Sequence, residues 1–419
     1  YCYFQMTAED SYVFVGGDFS TSSYYSHNGR LTNGVLEVKG NFTQTTTGNG
    51  DNFYATENHK VILSGEGKQV VSFQSINCRF AALELQNYSD EGVEFTKTVP
   101  MDSFESNGCK YTYADGSRTG WTLEADEEIT GDILLSGGTL DLNGFNLTIN
   151  GNLTQTDGEV FINNGELIVN GDYKIQLADG GNSNGTLKMT NEADTVTVSG
   201  SFVMQSSKSH NGLLTAGTLT VGGDFTQNYG TYYNYYTSGN HTTVLNGDSL
   251  QTVTFANSSA ANSHFNNFKM ANSSVEGITF KSNIVVTGML MNTESVFTQD
   301  KIYLASTGTL ENGLWNSNLY IDQNRTLTAD ETINGTLYVT SGTLNLNGKN
   351  LTVENLNLTG GTIDLNGGTL TVAGDVTQTG GTMNINGGKL LIDEDYAITG
   401  RYCYFQMTAE DSYVFVGGD

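Results

Sequence analysis

Three short runs of alternating apolar residues recur about every twenty residues, and this periodicity constrains the fold more than any other feature. From Gly342 the sequence reads GTLNLNGKNLTVENLNLTGGTIDLNGGTLTVAGDVTQTGGTMNINGGKLLIDEDYAI. Leu344, Ile363 and Met383 are equivalent, as are Leu351, Leu370 and Leu390, and Val376 pairs with Tyr396. The stretch from Gly138 repeats the pattern, matching Leu140 with Val160, Leu147 with Leu167 and Leu153 with Tyr173. Apolar alternation over four or five residues is the signature of a strand with one face buried. Each run ends at Asn-Gly or Gly-Gly, a turn signal. A single coil of three such strands cannot bury its inner face. Stacking coils closes a core and satisfies the backbone through parallel ladders. The expected fold is therefore all-β, a right-handed parallel β-helix (β-solenoid) with about twenty residues and three short strands per coil. Asn143 with Asn163, and Asn347 with Asn366 and Asn386, would stack at the turns.

Two longer repeats overlie the coils. The eighteen residues YCYFQMTAEDSYVFVGGD occur at Tyr1 and again from Tyr402, which sets a period of 401 residues. Within it, TLEADEEITGDI from Thr122 matches TLTADETINGTL from Thr326. SHNGRLTNGVLEVKGNFTQ from Ser26 matches SHNGLLTAGTLTVGGDFTQ from Ser209, and NHKVIL from Asn58 matches NHTTVL from Asn240. The chain then parses into 1–121, the second part of half-repeat B; 122–325, half-repeat A; 326–401, the first part of half-repeat B; and 402–419, the start of the next tandem unit.

Composition limits the function classes. There are 51 Gly and 1 Pro, and charged residues are 15%, below the roughly 25% of ordinary domains. Scarce Pro suits continuous ladders, since Pro cannot donate to them. The net charge is −27, which repels nucleic acid and anionic membranes. No apolar run approaches the roughly 18 residues of a spanning helix. The acidic surface is compatible with weak Ca2+ binding, but neither the EF-hand loop nor the Gly-rich calcium nonapeptide is present. No cofactor is indicated.

The LNG-x-NLT, SHNG-x-LT and NH-x-x-[VI]-L strings resemble repeat regions of giant bacterial cell-surface proteins and, more distantly, filamentous-haemagglutinin-type adhesins. The resemblance implies a secreted or surface-anchored β-helix, with adhesion or matrix formation as its role. It carries no catalytic residues over.

Candidate chemistry is sparse. The histidines fall into homologous pairs, His27 with His210 and His59 with His241, plus His264, and none has metal-ligand spacing. Asn345, Asp364 and Asn384 form an outward row that mixes amides with acids, with Asp141 in the other half. Glycan cleavage needs two carboxyl groups a few ångströms apart, so a solvated outer face is the better reading of this row. Exposed tyrosines suit interfaces and sugar stacking. Tyr232, Tyr233, Tyr235 and Tyr236, with Tyr24 and Tyr25, are therefore the candidate lateral contacts. Of the cysteines, Cys78 and Cys109 are the pair that a loop could join in a disulfide, while Cys2 lies nearly four coils from Cys78. All being buried thiols is the alternative. The function expected is a non-enzymatic structural unit of a long extracellular filament or surface polymer. Its expected partners are further copies of the repeat, other chains of the filament and glycans, with no nucleic acid and no membrane-spanning segment. An adhesin stalk is the second reading, and a glycan-active enzyme the third.

Overall fold

The structure is a computed structural model. It describes residues 2–418 except 47–49, 76, 98, 114–116, 119, 231, 232, 294, 299 and 300. Strands make up 47% of the chain, which forms a parallel β-solenoid of about 19 turns. The only helix among the described residues is the three-residue 3-10 turn Glu311–Gly313. Two compact units divide the chain, Tyr1–Gly200 and Ser201–Asp419.

Every equivalence read from the coil period is a ladder partnership. Leu344 pairs Ile363, and Ile363 pairs Met383. Leu351 pairs Leu370, which pairs Leu390, and Val376 pairs Tyr396. In the first unit Leu140 pairs Val160, Leu147 pairs Leu167 and Leu153 pairs Tyr173. The inner columns are closed: Leu344, Ile363, Met383, Leu351, Leu370 and Leu390 are at most 1% exposed. Each such side chain contributes roughly 1.5–3 kcal/mol relative to an exposed one.

The twenty-residue coil describes only the cleanest turns. Partners lie 17 residues apart at Tyr303 and Tyr320 but 29 apart at Glu166 and Thr195. The three-strand coil also needs correction in the first hundred residues. Two ladders run there, one through Tyr12–Val15, Val35–Val38, Lys60–Leu63 and Ala82–Leu85, the other through Phe19–Thr21, Phe42–Gln44, Gln69–Phe73 and Val93–Phe95. The third side is reduced to single bridges, Met6 to Leu31, Leu31 to Ala55 and Tyr54 to Arg79. Turns take up that side instead, such as the one closed by Arg30 N donating to His27 O at 3.0 Å.

Asparagine shapes the corners. Eight of the nine non-glycine residues with positive φ among those described are Asn, including Asn143, Asn163, Asn347, Asn366 and Asn386. Asn tolerates the left-handed region better than most residues because its short amide bonds locally. The expected Asn stacks are real but diagonal. Asp141 Oδ1 accepts from the backbone N–H of Asn143 at 2.8 Å and from the Asn163 amide of the next coil at 2.9 Å. Asn345 does the same for Asn347 and Asn366, and Asp364 for Asn366 and Asn386. Where coils approach most closely only glycine fits: a Cβ on Gly381 (φ +73°) would lie 2.5 Å from the carbonyl oxygen of Gly361.

The core carries polar groups in fixed places. The tetrapeptide-like string [ND]-x-T-Q ends at Gln44, Gln155, Gln227 and Gln378, each wholly buried. Gln155 donates to the carbonyls of Gly158 at 2.8 Å and Thr186 at 3.0 Å, and its Oε1 accepts from the Tyr173 hydroxyl at 2.7 Å. Gln44 and Gln227 donate to the side-chain oxygens of Asn52 and Asn234 and Gln378 to Gly381 O, so each buried amide finds an acceptor inside the core. Deeper still, Arg325 and Glu331 form a two-bonded ion pair, Nη1 to Oε2 at 2.8 Å and Nη2 to Oε1 at 2.5 Å. Their side chains are 3% and 6% exposed, and Arg325 Nε also donates to Gly308 O at 3.2 Å. Breaking one partner strands the other charge, so Glu331→Ala should cost about 3 to 5 kcal/mol. The double change Arg325→Met, Glu331→Leu should cost less. Urea unfolding of the three proteins checks this, and a single variant no worse than the double would contradict it.

Candidate functional site

The structure offers edges, outer-face rows and grooves, one groove lined by Phe104, Cys109, Tyr111, Trp121, Glu124 and Glu127. The duplicated segment is the most informative. Tyr12–Val15 and Tyr413–Val416, 401 residues apart, are both strands. The turn before each is closed alike, Ser11 N donating to Ala8 O at 3.1 Å and Ser412 N to Ala409 O at 3.3 Å. Their neighbours differ. Tyr12–Val15 pairs with Val35–Val38, whereas Tyr413–Val416 pairs with Lys389–Ile392. The two copies thus display opposite edges of one strand. Likewise Cys403–Gln406 lies on Gly381–Asn384, while its first-copy counterpart, residues 2–5, forms no strand. Aromatic side chains crowd both copies: Tyr12, Phe14, Tyr413 and Phe415 are each about half exposed.

The candidate tyrosines separate. Tyr232 lies outside the described residues. Tyr233 (41%) and Tyr24 (61%) are exposed, and Tyr25 is half-buried against Tyr24 with ring centroids 5.4 Å apart. Tyr236 is half-buried, its ring 4.4 Å from that of His264. Tyr235 cannot be a lateral contact, because it is wholly buried. It belongs to a four-ring cluster with Phe225, Phe255 and Phe265, centroids 4.9 Å from Phe225 and 5.8 Å from Phe265. The first unit holds the same cluster as Phe42, Phe53, Phe73 and Phe80. Aligning the NHKVIL and NHTTVL strings puts Phe53 opposite Tyr235, and Phe is the sign of an inward position. The Tyr235 hydroxyl meets Thr243 Oγ1 at 2.7 Å, where the first unit has Val61 opposite Phe53.

An outer row escaped the sequence reading. Tyr303, Tyr320 and Tyr338 occupy consecutive coils in one column, with Tyr320 and Tyr338 stacked 6° from parallel at 4.4 Å. Their spacings of 17 and 18 residues fall short of the twenty-residue period, which hid them. This row is a ready platform for stacking a flat apolar face.

The thiols do not pair. Cys78 and Cys109 are both free and buried, so the disulfide expected between them is absent from the structure. Cys78 Sγ instead donates to Gly50 O at 2.9 Å, and desolvation raises its pKa to about 11, which keeps it an unreactive thiol. Cys2 is exposed and free.

Among the described residues no group of three or more His, Cys, Asp or Glu is placed to hold a metal ion. The histidines sit inside the fold. His27 Nε2 accepts from the Phe4 backbone N–H at 3.0 Å, and desolvation lowers its pKa. His241 Nδ1 meets Ala216 O at 2.9 Å, and His264 Nε2 meets Thr237 O at 2.9 Å. His59 is wholly buried near Phe53, and neither ring nitrogen has a hydrogen-bond partner.

No protein-family model, curated protein or solved structure matches the chain.

Burial of histidine has a measurable consequence. Desolvation lowers the pKa of both His59 and His210 from 6.5 to about 4. Between those values the unfolded chain takes up protons that the fold refuses. Their contribution to stability is therefore complete above the ordinary pKa and is lost as pH falls towards the lowered one. The urea midpoint should drop between about pH 7 and about pH 5, and less steeply in His59→Leu. An unchanged slope in that variant would show that His59 does not carry the effect.

Proposed function

We propose that the chain is a unit of a long, tandemly repeated β-solenoid that serves as a non-catalytic extracellular filament or surface polymer. One observation carries this reading: the same eighteen residues occur twice with the same strand and turn, each copy paired on a different edge. Joined at their common sequence, they describe one strand with a neighbour on both sides, Lys389–Ile392 before it and Val35–Val38 after it. A repeat that re-enters its own register can be copied without a seam. Length is what each added copy supplies.

The surface chemistry agrees with that role. The net charge of −27 keeps a long polymer soluble and apart from its neighbours. Asp141 and Asp364, outward acids in separate halves of the chain, are each engaged as turn acceptors between coils. Extracellular placement and the likeness to bacterial surface repeats belong to this proposal and rest on the sequence strings quoted above. The column Tyr303, Tyr320 and Tyr338 favours a second reading, an adhesin stalk that stacks sugars along its side.

Chains carrying one, two and three periods decide the matter. Electron microscopy should show particles that lengthen by the same increment with each period at constant width. Particles that instead widen, or associate side by side as separate globules, would overturn the filament reading. Release of reducing ends from a polysaccharide by the purified repeat would overturn its non-catalytic part.

A further inference from the structure

We propose that the strand Tyr396–Ile398 is the acceptor edge for Phe19–Thr21 of the following copy, in the register Tyr396 to Phe19, Ala397 to Ser20 and Ile398 to Thr21. The inference rests on the tandem reading and adds a third side to the junction. Two sides are already occupied, Gly381–Asn384 by Cys403–Gln406 and Lys389–Ile392 by Tyr413–Val416. Among the described residues Tyr396–Ile398 pairs with Val376–Gln378 alone.

The register follows from the coil itself. Tyr413 lies 24 residues beyond its partner Lys389. The same step from Tyr396 lands one residue past Asp419, the place that Phe19 holds after Asp18 in the first copy. Seven residues separate Lys389 from Tyr396, and seven separate Tyr12 from Phe19, so both strands of the coil advance together.

Side chains point the same way. Phe405 packs its ring 5.7 Å from Tyr396. Its first-copy equivalent, Phe4, packs 5.6 Å from Phe19, which in turn lies 4.9 Å from Phe42. One phenylalanine thus touches the ring before it in one copy and the ring after it in the other, and the joined sequence makes an unbroken inner column. The first unit supplies a covered counterpart. NGDYKI at 170–175 matches DEDYAI at 393–398, and in both the tyrosine hydroxyl donates to a buried glutamine, Gln155 at 2.7 Å and Gln378 at 2.6 Å. Tyr173 and Ile175 are wholly buried, whereas Ile398 is 51% exposed. The motif is inward-facing, and at Ile398 its cover is missing. On the opposite end, the open groove lined by Cys2, Tyr3, Phe4, Ser20 and Thr21 is the surface that the preceding copy would close.

Cysteine pairs in a chain continued through a second period test the register. Ala397 and Ser20 both point outward, and directly opposed residues on adjacent parallel strands lie about 4.8 Å apart, within disulfide reach. Ala397→Cys with Ser20→Cys in the second copy should cross-link, as read by mass spectrometry of the linked peptides. Leu391→Cys with Phe415→Cys, an outward pair already opposed, is the control. Linking of the control without the Ala397 pair, or linking of Ala397→Cys to Ser22→Cys of the second copy instead, would overturn this register while leaving the tandem solenoid intact. Failure of both pairs would overturn the tandem reading as well. Ile398→Lys provides a second readout. It should leave the urea midpoint of the 419-residue chain unchanged and lower that of the two-period chain, and equal midpoints in the two-period proteins would contradict the proposal.

Discussion

Everything in this fold depends on the backbone ladder from one coil to the next. A coil has no partner for its own strand N–H and C=O groups, because its strands face different directions. Only the preceding and following coils supply them, and an unpaired buried backbone group costs about as much as a lost hydrogen bond or more. The ladder also fixes the side chains. Parallel in-register pairing puts Leu351 on Leu370 and Leu370 on Leu390, so like sits on like and the core is a bundle of columns. Each column is short of cover at its first and last member, which makes stability a property of the stack rather than of any coil.

Polar residues then solve the problems that stacking creates. Corners demand left-handed backbone, and Asn supplies it while its amide reaches the preceding coil. Acidic side chains beside the corners cap the next coil's backbone: Asp330 accepts from Asn350 through both its backbone N–H, at 2.8 Å, and its amide, at 3.0 Å. Those bonds, with Lys349 nearby, hold the Asp330 pKa below the usual carboxylate range. Inside the core the buried glutamines donate to backbone carbonyls and to the side chains of Asn52 and Asn234. The half-repeats vary the chemistry at matched positions without changing the shape. Arg325 with Glu331 in one half is Trp121 with Glu127 in the other, where the indole Nε1 donates to Glu127 Oε2 at 3.2 Å. A position six residues before the glutamate must be large and carry an N–H, and either residue meets that need.

The inner columns were legible in the sequence because period and alternation are both direct signatures of the ladder. Leu140 with Val160 and Ile363 with Met383 could be read without any structure. Coil length was less legible, since turns of different size can be inserted without disturbing the strands on either side. That freedom is why Tyr303, Tyr320 and Tyr338 went unseen and why residues 2–113 keep only bridges on one side. Tyr235 was misread as surface because clustered tyrosines in a Gly-rich stretch resemble a loop. Its homologue Phe53, with no hydroxyl to suggest exposure, held the correct signal. The buried glutamines were missed, although four copies of [ND]-x-T-Q at the same point of a strand are more than composition provides, and Gln at a position of inward phase implies an acceptor to satisfy.

An edge strand pairs with whatever presents a complementary edge, which is a hazard for any stack of coils. Soluble proteins commonly blunt such edges with charge, proline or a bulge. The edge strands here do the opposite: Tyr12, Phe14, Tyr413 and Phe415 present half-exposed aromatic rings on strands free of charge and proline. On the tandem reading proposed above, such a strand would serve as a joint. The acidic surface elsewhere discourages sideways association. On the tandem reading proposed above, the same eighteen residues would encode both halves of the joint, so the match between successive copies would last as long as the repeat itself.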